Sequence, residues 1–400
     1  MKPVPYDDVK NMISYLITIL SLIVFLRILY KIAFNFFYKP VPPDANYRPL
    51  VTLIVPVYNE GNHIEASLIS CLHSSYPHKE IICVNDGSTD DTLLYAEQTR
   101  QNYPGQIKLI SFEKNRGKRE ALAAGIRAAQ GEIVVTVDSD SLLEKEALDH
   151  IVAPFKRAKI GAVVGHVKVA NKSRNFLTRT AAVNFSMSYE FTRTSCSAIK
   201  SVLVCSGAFS AYRKSLLLSI LDAWLNDTFM GNKLICGDDR ALTNFILRAG
   251  YDTVYQRNAV GYTLVPEQFN KYIRMIVRWN KSYIVESIKL ASFILSPKWK
   301  KDYKPLAIIN FFFDVISTIA GILGAALIFI LPFIDPWLGI ESFVLIPLAF
   351  AIIILLYGQL ENISDFFYGI AHAYFFTFVL VWTLPYAAFT LSDNRRWLTR

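Results

Sequence analysis

The stretch Val51-Thr-Leu-Ile-Val-Pro-Val-Tyr-Asn-Glu60 decides the fold class of this chain. It is a short run of mainly β-branched and apolar residues that ends in a polar turn. Such a run is typical of a strand buried inside a parallel sheet. Because ligands of parallel sheets bind beyond the carboxyl ends of the strands, Tyr58 and Glu60 lie where a binding site is expected.

The same pattern continues along the chain. Short apolar runs at 80–84, 107–111 and 132–137 predict further buried strands, and the segments 64–73 and 119–129 between them have helical character. Strands that alternate with helices predict an α/β domain with a mostly parallel sheet.

The two ends of the chain are strongly apolar and account for a hydrophobic content of 52%. Residues 12–38 are long enough to span a bilayer and predict an uncleaved signal anchor. Three later stretches, 305–332, 338–357 and 367–391, bring the candidate spans to four. Asp314 lies inside one of them, and we expect it to face protein or water. The predicted units are an anchor and linker at 1–44, a cytosolic domain at 45–265, amphipathic interface helices at 266–300, and a helical membrane region at 301–400.

The net charge of +9 fits the anionic cytoplasmic face of a membrane and a small anionic substrate. No aromatic–basic repeat supports a nucleic-acid partner. Arg395, Arg396 and Arg400 favour a cytosolic tail. With three simple crossings the tail would lie outside, so one stretch is expected to be re-entrant or broken, and Pro385 makes the last stretch the candidate.

The segment 267–290 predicts a basic amphipathic helix at a membrane surface, with a core-facing soluble helix as the alternative.

Four short motifs could carry chemistry. Pro56-Val-Tyr-Asn-Glu60 and Val84-Asn-Asp-Gly-Ser88 together favour a nucleotide pocket, although each alone could be an ordinary turn. Val137-Asp-Ser-Asp140 could hold a divalent cation, or it could simply begin a helix. In Gly237-Asp-Asp-Arg240 one acid could accept a hydroxyl proton, or both could stabilise a helix start. Arg278-Trp279 could bind phosphate and a sugar face, or anchor at a membrane interface.

In order and spacing these motifs resemble the processive family 2 glycosyltransferases, the group of hyaluronan, chitin and cellulose synthases, and are most similar to bacterial hyaluronan synthases. The resemblance runs from about residue 51 to 287, and its further matches are Asn115-Arg-Gly-Lys-Arg119, Val204-Cys-Ser-Gly207, Tyr212-Arg213, Leu242-Thr-Asn244, Arg278-Trp-Asn-Lys-Ser282 and the ending Trp397-Leu-Thr-Arg400.

The resemblance implies a GT-A fold, a Mg²⁺ or Mn²⁺ cofactor and a role for each motif. The implied nucleotide-binding residues are Pro56, Tyr58, Glu60, Asp86, Lys118, Asp138 and Arg278. Asp140 is the implied metal ligand, and Asp239 the implied general base, with Asp238 and Arg240 beside it. The implied acceptor site consists of Cys205, Ser206, Gly207 and Trp279.

Three positions depart from the family pattern: Met275 replaces the usual Gln, Asn85 replaces an Asp, and Thr192-Arg-Thr-Ser-Cys196 replaces a Glu-Arg-Ala-Ala-Gln stretch. The resemblance still implies an inverting, processive enzyme of the plasma membrane. Its cytoplasmic domain would take a UDP-sugar donor and a growing polysaccharide acceptor. A hyaluronan synthase using UDP-GlcNAc and UDP-glucuronate is the leading expectation. The alternatives are a single-sugar GlcNAc polymerase and a non-processive transferase to a lipid acceptor.

Overall fold

The computed structural model describes residues 6–233, 237–294, 305–357 and 363–391. The strands, in chain order, are β1 Val51–Val57, β2 Lys79–Asn85, β3 Ile107–Ser111, β4 Ile133–Val137, β5 Leu142–Leu143, β6 Ile160–Val169, β7 Phe209–Arg213, β8 Thr228–Phe229, β9 Asn232–Lys233 and β10 Asp252–Thr263.

The helices, in chain order, are α1 Tyr6–Asn35, α2 Gly61–Leu72, α3 Thr92–Asn102, α4 Lys118–Ala128, α5 Ala147–Val152, α6 Phe176–Ser186, α7 Thr194–Ala198, α8 Lys214–Leu225, α9 Asp238–Arg248, α10 Phe269–Ile294, α11 Pro305–Ile334, α12 Pro336–Tyr357, α13 Ile363–Phe375 and α14 Thr383–Phe389. Ala153–Lys156 is a 3₁₀-helix, and Met187–Arg193 and Phe376–Leu380 are π-helices.

Eight strands form one sheet in the order β3-β2-β1-β4-β7-β6-β10-β5. The pairs β1–β2, β1–β4, β2–β3 and β6–β10 are parallel, whereas β7 pairs antiparallel with both neighbours. Every residue of β1 is buried, because it lies between β2 and β4 and α2 and α4 pack against it. The predicted mostly parallel α/β domain is therefore confirmed.

The sheet register brings the predicted motifs to one edge. Val57 pairs with Asn85, so β1 and β2 end side by side. β4 pairs in parallel with the other side of β1 and ends at Val137. The three polar segments after these strands therefore share the carboxyl edge of the sheet, where ligands of such sheets bind.

Three helical segments of the described chain are long and apolar enough to cross a membrane: Lys10–Asn35, Pro305–Ile334 and Ile363–Phe389. The predicted stretch 338–357 also forms a helix, α12. α1 and α11 pack together, and Asp314 of α11 accepts from Arg27 Nε at 2.8 Å and Lys31 Nζ at 3.1 Å. Asp314 thus faces protein, as the sequence led us to expect.

The last apolar stretch is interrupted, although not at Pro385. A π-helix, Phe376–Leu380, and a short turn separate α13 from α14, and Pro385 lies inside α14. The predicted amphipathic segment forms α10, which packs against both α9 and α14 and so joins the sheet domain to the apolar helices. The tail from 392 to 400, with its three arginines and the predicted Trp397 motif, lies outside the described residues.

Candidate active site

Asp86 holds the loop that leads into α4. Its carboxylate accepts the Arg116 N–H at 2.7 Å, the Gly117 N–H at 2.9 Å and Asn115 Nδ2 at 3.0 Å. The side chain is only 3% exposed, and burial raises its pKa although the two backbone N–H groups oppose the rise. In this structure Asp86 therefore organises the backbone that presents Lys118.

Lys118, the first residue of α4, is the point where three acids converge. Its ammonium forms an ion pair with Asp138, at the end of β4. Burial alone would lower the pKa of Lys118, but the negative charges of Asp138, Asp238 and Asp239 outweigh it and raise the pKa above its usual value. Carboxylates from two distant parts of the chain thus act on one cation.

The segment 205–207, predicted to belong to the acceptor site and called the acceptor loop below, lies against this ion pair at Gly207. A Cβ added to Gly207 would lie 3.1 Å from Lys118 Nζ and 3.5 Å from Asp138 Oδ1. The absence of a side chain therefore lets the loop approach the charged pair closely, as glycines at ligand sites often do.

The two acids at the start of α9 have different environments. Asp238 accepts from Arg119 Nε at 2.7 Å, and Arg119 Nη1 donates to the Trp224 carbonyl at 2.9 Å. Burial raises the pKa of Asp238 despite the positive charges of Arg119 and Lys118. Asp239 accepts the Arg240 N–H at 2.8 Å. Asp238 is thus fixed by a guanidinium, which leaves Asp239 the better placed of the two to act on a substrate.

A chain of hydrogen bonds ties α9 to the acceptor loop. Thr243 Oγ1 donates to the Asp239 carbonyl at 2.7 Å and accepts the Cys205 N–H at 3.0 Å. The Tyr189 and Ser206 hydroxyls lie 2.9 Å apart. Burial raises the pKa of the Cys205 thiol to about 12, so this thiol stays protonated and serves packing. The loop and the helix carrying the acids therefore form one unit.

Asp140 follows the end of β4, two residues after Asp138, and its side chain lies beside Thr263, the last residue of β10. It is 7% exposed, and Thr263 Oγ1 lies 3.5 Å from its Oδ1. The described residues contain no cluster of three His, Cys, Asp or Glu side chains able to hold a metal by themselves. Mg²⁺ in nucleotide enzymes needs only one or two carboxylates together with substrate phosphates. Asp138 and Asp140 fit that requirement.

The remaining predicted nucleotide residues of β1 stand at the same edge. Pro56 is buried within the strand, and Tyr58 beyond it is 36% exposed. The Glu60 N–H donates to Thr92 Oγ1 at 2.8 Å, which fixes the turn into α2. The Tyr58 ring is therefore accessible at the edge where Asp86 and Asp138 lie.

Arg278 and Trp279 are exposed on α10. The Trp279 ring lies 6.0 Å from Phe185, and Phe185 lies 6.4 Å from Tyr189, which contacts Ser206. Aromatic rings thus connect Trp279 to the acceptor loop. In the part of the chain that the structure describes, Arg278 makes no ion pair with Asp138, Asp238 or Asp239, the acids that act on Lys118.

Some residues of the site escaped the sequence reasoning. Arg119, Thr243 and Tyr189 position Asp238, Asp239 and Ser206, yet we assigned none of them a role. Arg119 and Thr243 do stand inside motifs that the resemblance had singled out, and this was the available signal. The π-helix that carries Tyr189 has no comparable sequence signal, and such segments are frequent at functional sites.

The sheet carries Asp86, Asp138 and Lys118 at its carboxyl edge, and helices suited to a membrane adjoin the sheet domain, as expected of a membrane-associated enzyme. The family described as "Glycosyltransferase like family 2" matches residues 48–282, more than half of the chain. The chain therefore belongs to the family 2 glycosyltransferases.

Comparison with known proteins gives three informative relatives. A hyaluronan synthase of Streptococcus pyogenes is 34% identical over 272 residues, which cover 66% of this chain and 64% of that protein. An N-acetylglucosaminyltransferase of Azorhizobium caulinodans is 30% identical, over 58% of this chain and 59% of its own. The matches thus span less than two thirds of these relatives. A mannosyltransferase from Pyrobaculum calidifontis, solved with GDP-Man and Mn²⁺, shares the fold, with a TM-score of 0.67 and 22% identity over 96% of this chain and all of that one.

Proposed function

We propose that this chain is an inverting, processive glycosyltransferase that builds a β-linked polysaccharide from UDP-sugars. The observation that carries the proposal is the ion pair of Lys118 with Asp138 directly beside Gly207, where the charges of Asp238 and Asp239 also act on Lys118. With Mg²⁺ or Mn²⁺ bound to balance the neighbouring carboxylates, Lys118 would contact a diphosphate, and the adjoining loop and its hydroxyls suit an acceptor sugar.

The proposed reaction is a single displacement. Asp239 takes the proton from an acceptor hydroxyl, whose oxygen attacks the anomeric carbon of the donor. The bond between that carbon and UDP breaks, and Lys118 and Arg278 stabilise the negative charge on the departing UDP. One displacement inverts the anomeric centre, so an α-linked donor gives a β-linked product.

Other residues of the site position these groups. Arg119 holds Asp238, and Thr243 keeps the helix start of Asp239 in register with the loop at Cys205. Tyr58, together with Pro56 and Glu60 at the end of β1, would receive the base. Asp138 and Asp140 would hold Mg²⁺ or Mn²⁺, which when bound would neutralise negative charge on the diphosphate.

The apolar helices support a membrane location. We propose four units, namely an anchor to residue 44, a cytoplasmic GT-A domain to 265, an interface segment to 300 and a membrane region beyond it. Because α10 packs against both α9 and α14, the acceptor site lies close to the apolar helices. A polar chain that leaves this site needs a protein-lined path through lipid. This arrangement supports secretion across the plasma membrane by a multi-pass chain.

Hyaluronan is the product that the relatives favour, with UDP-GlcNAc and UDP-glucuronate as donors, because the hyaluronan synthases of Streptococcus pyogenes are 34% identical. A polymer of GlcNAc alone is the second candidate, supported by the N-acetylglucosaminyltransferases at 30 and 31% identity.

The decisive experiment gives purified protein in lipid nanodiscs each radiolabelled donor alone and then both together. Polymer that requires both donors and is degraded by hyaluronidase supports the hyaluronan assignment. Polymer from UDP-GlcNAc alone overturns that assignment in favour of the single-sugar polymerase. Short products that extract only into organic solvent would instead indicate a lipid acceptor and exclude processive synthesis.

A further inference from the structure

A cavity of about 170 Å³, lined by both apolar and charged side chains, lies where the catalytic domain meets the membrane helices. Its walls come from α1, the π-helix Met187–Arg193, α9, α10 and α11. Two of its lining residues adjoin the proposed reaction site, since Arg240 follows Asp239 and Val204 precedes Cys205. A cavity of this size has room for about five water molecules, and hence for a small charged group.

The two acids that line the cavity already have partners in the protein. Asp314 is paired with Arg27 and Lys31. Glu286 accepts from Asn244 Nδ2 at 2.8 Å and lies 3.7 Å from Lys289 Nζ, which Asp227 holds more closely, at 2.6 Å. Asp314 is therefore balanced by two cations, whereas Glu286 still carries negative charge that acts on Arg240.

Two further arginines face the cavity without a carboxylate of their own. The Arg193 guanidinium stands 4.0 Å from the Tyr189 ring centre, and its Nε donates to the Val204 carbonyl at 3.4 Å. The Arg240 guanidinium lies 5.3 Å from the Tyr283 ring centre. Among the residues that the structure describes, neither arginine forms an ion pair with an acid.

These two guanidinium groups repel each other. Burial lowers the pKa of Arg240, and the charge of Arg193 adds to that effect, although Asp239, Tyr283 and Glu286 oppose it. Holding two like charges close together in a partly buried space costs free energy, which a bound anion would recover. Guanidinium groups suit this task because they bind oxyanions in a bidentate manner.

We propose that Arg193 and Arg240 bind an oxyanion carried by the acceptor, beside the hydroxyl that reacts. This inference rests on the proposed glycosyltransferase activity and identifies the acceptor as an acidic one. A sugar carboxylate and the phosphate of a lipid-linked acceptor share this chemistry. Arg193 is a binding residue here, set one helical turn from Tyr189, whose hydroxyl contacts the acceptor loop at Ser206.

The test measures transfer of GlcNAc from UDP-GlcNAc to three acceptors by the full chain in nanodiscs. They are an oligosaccharide ending in glucuronate, the same compound with its carboxylates reduced to alcohols, and a polyprenyl phosphate. For the wild type we expect a KM about tenfold lower for the acid than for the reduced oligosaccharide, the effect of one charge-assisted hydrogen bond. Arg193→Gln should remove most of that difference by raising KM for the acid toward the value for the reduced acceptor, and Arg193→Lys should restore part of it.

Arg127→Gln, at an exposed arginine on α4, is the matched control and should behave as the wild type. Binding of UDP to each variant, measured by calorimetry, shows that the donor site has folded. If the wild type uses acid and reduced oligosaccharides equally and Arg193→Gln also leaves transfer to the polyprenyl phosphate unchanged, the oxyanion site is wrong while the transferase activity stands. If only the polyprenyl phosphate shows the Arg193 dependence, the site is supported with a lipid phosphate as its anion. UDP binding without transfer to any acceptor would overturn the proposed function itself.

Discussion

Gly237 and Ser282 are in direct contact across the boundary between α9 and α10. Gly237 adopts a left-handed conformation with φ of 69°, and a Cβ added there would lie 2.3 Å from Ser282 Oγ. Asn244 on α9 also donates to the Glu286 carbonyl at 3.0 Å. The helix α9, whose second residue is Asp239, is therefore fixed against the helix that carries Arg278 and Trp279, at a point where only glycine fits.

Replacing Gly237 with alanine should therefore damage catalysis. The left-handed backbone costs an alanine about 1–2 kcal/mol, and the clash with Ser282 must also displace α9 or α10. Because the proposed base is the second residue of α9, we expect kcat to fall at least about tenfold, a barrier increase of about 1.4 kcal/mol. Initial rates of transfer in nanodiscs check this.

Gly105→Ala is the matched control, since Gly105 has φ of 78° and no atom within 4 Å of the added Cβ. The Gly105→Ala variant has the same unfavourable left-handed backbone but no clash, so it should keep the wild-type kcat. Equal kcat values for the two alanine variants would contradict a positioning role for the contact with Ser282.

The two acids of α9 should separate in mutagenesis. Asp239→Asn removes the proposed base and should lower kcat by about 10²–10⁴-fold, with UDP binding unchanged. Asp238→Asn instead weakens the ion pair with Arg119 and should lower the thermal stability of the protein as well as its rate. Rates and melting temperatures measured on the same preparations distinguish the two effects.

Asp222→Asn serves as the surface control, because the Asp222 side chain is 90% exposed on α8. It should leave both rate and stability near the wild-type values. Retention of full activity by Asp239→Asn would show that the base lies elsewhere.

Much of this architecture is readable from the sequence because it depends on local patterns. The run from Val51 to Val57 has the composition of a buried central strand, and the structure buries each of its residues. Parallel strands necessarily end at one edge, so Asp86 and Asp138 could be placed near each other before any coordinates. The apolar runs of the membrane helices follow from length and composition alone.

What the sequence did not reveal are contacts made by tertiary approach. The Asp86 carboxylate is turned toward the loop at Arg116 and Gly117, which lies beyond β3 in the sequence. The hydrogen bonds of Thr243 to Asp239 and Cys205 likewise join segments that no periodicity relates. Such contacts depend on how separate elements pack, and a residue type at one position does not specify its distant partner.

Metal binding should depend on the nucleotide. Because two carboxylates, Asp138 and Asp140, are proposed to hold the metal and the described residues contain no cluster of three metal-binding side chains, the free protein should bind Mn²⁺ weakly, and UDP should raise the affinity by adding phosphate oxygens. The EPR signal of free Mn²⁺, titrated with and without UDP, measures both affinities. Asp140→Asn should weaken Mn²⁺ binding in the presence of UDP, and chelation with EDTA should stop transfer. Tight Mn²⁺ binding without UDP would contradict this site.

Glu190 should make the stability of the protein depend on pH. This buried acid on the π-helix contacts Arg257 Nη2 at 2.7 Å, the Tyr255 hydroxyl at 3.0 Å and His166 Nδ1 at 3.1 Å. Burial would raise its pKa, but the hydrogen bond from His166 and the charge of Arg257 lower the pKa below its usual value. The ionised form is therefore favoured by folding, and the resulting stability is present at neutral pH.

Glu190→Gln should consequently destabilise the protein at pH 7, by about 1–2 kcal/mol, because the Arg257 partner is 41% exposed and solvent screens the pair. A depressed pKa means that this contribution is complete above the ordinary glutamate pKa of about 4.3 and is lost as the pH falls through the lower, folded value. The melting temperatures of wild type and variant in detergent should therefore converge on acidification. Glu267→Gln, at an exposed acid near Arg174, should show almost no difference at any pH. A gap between wild type and Glu190→Gln that stayed constant down to about pH 3, well below that ordinary pKa, would show that the carboxylate charge is not what stabilises this part of the fold.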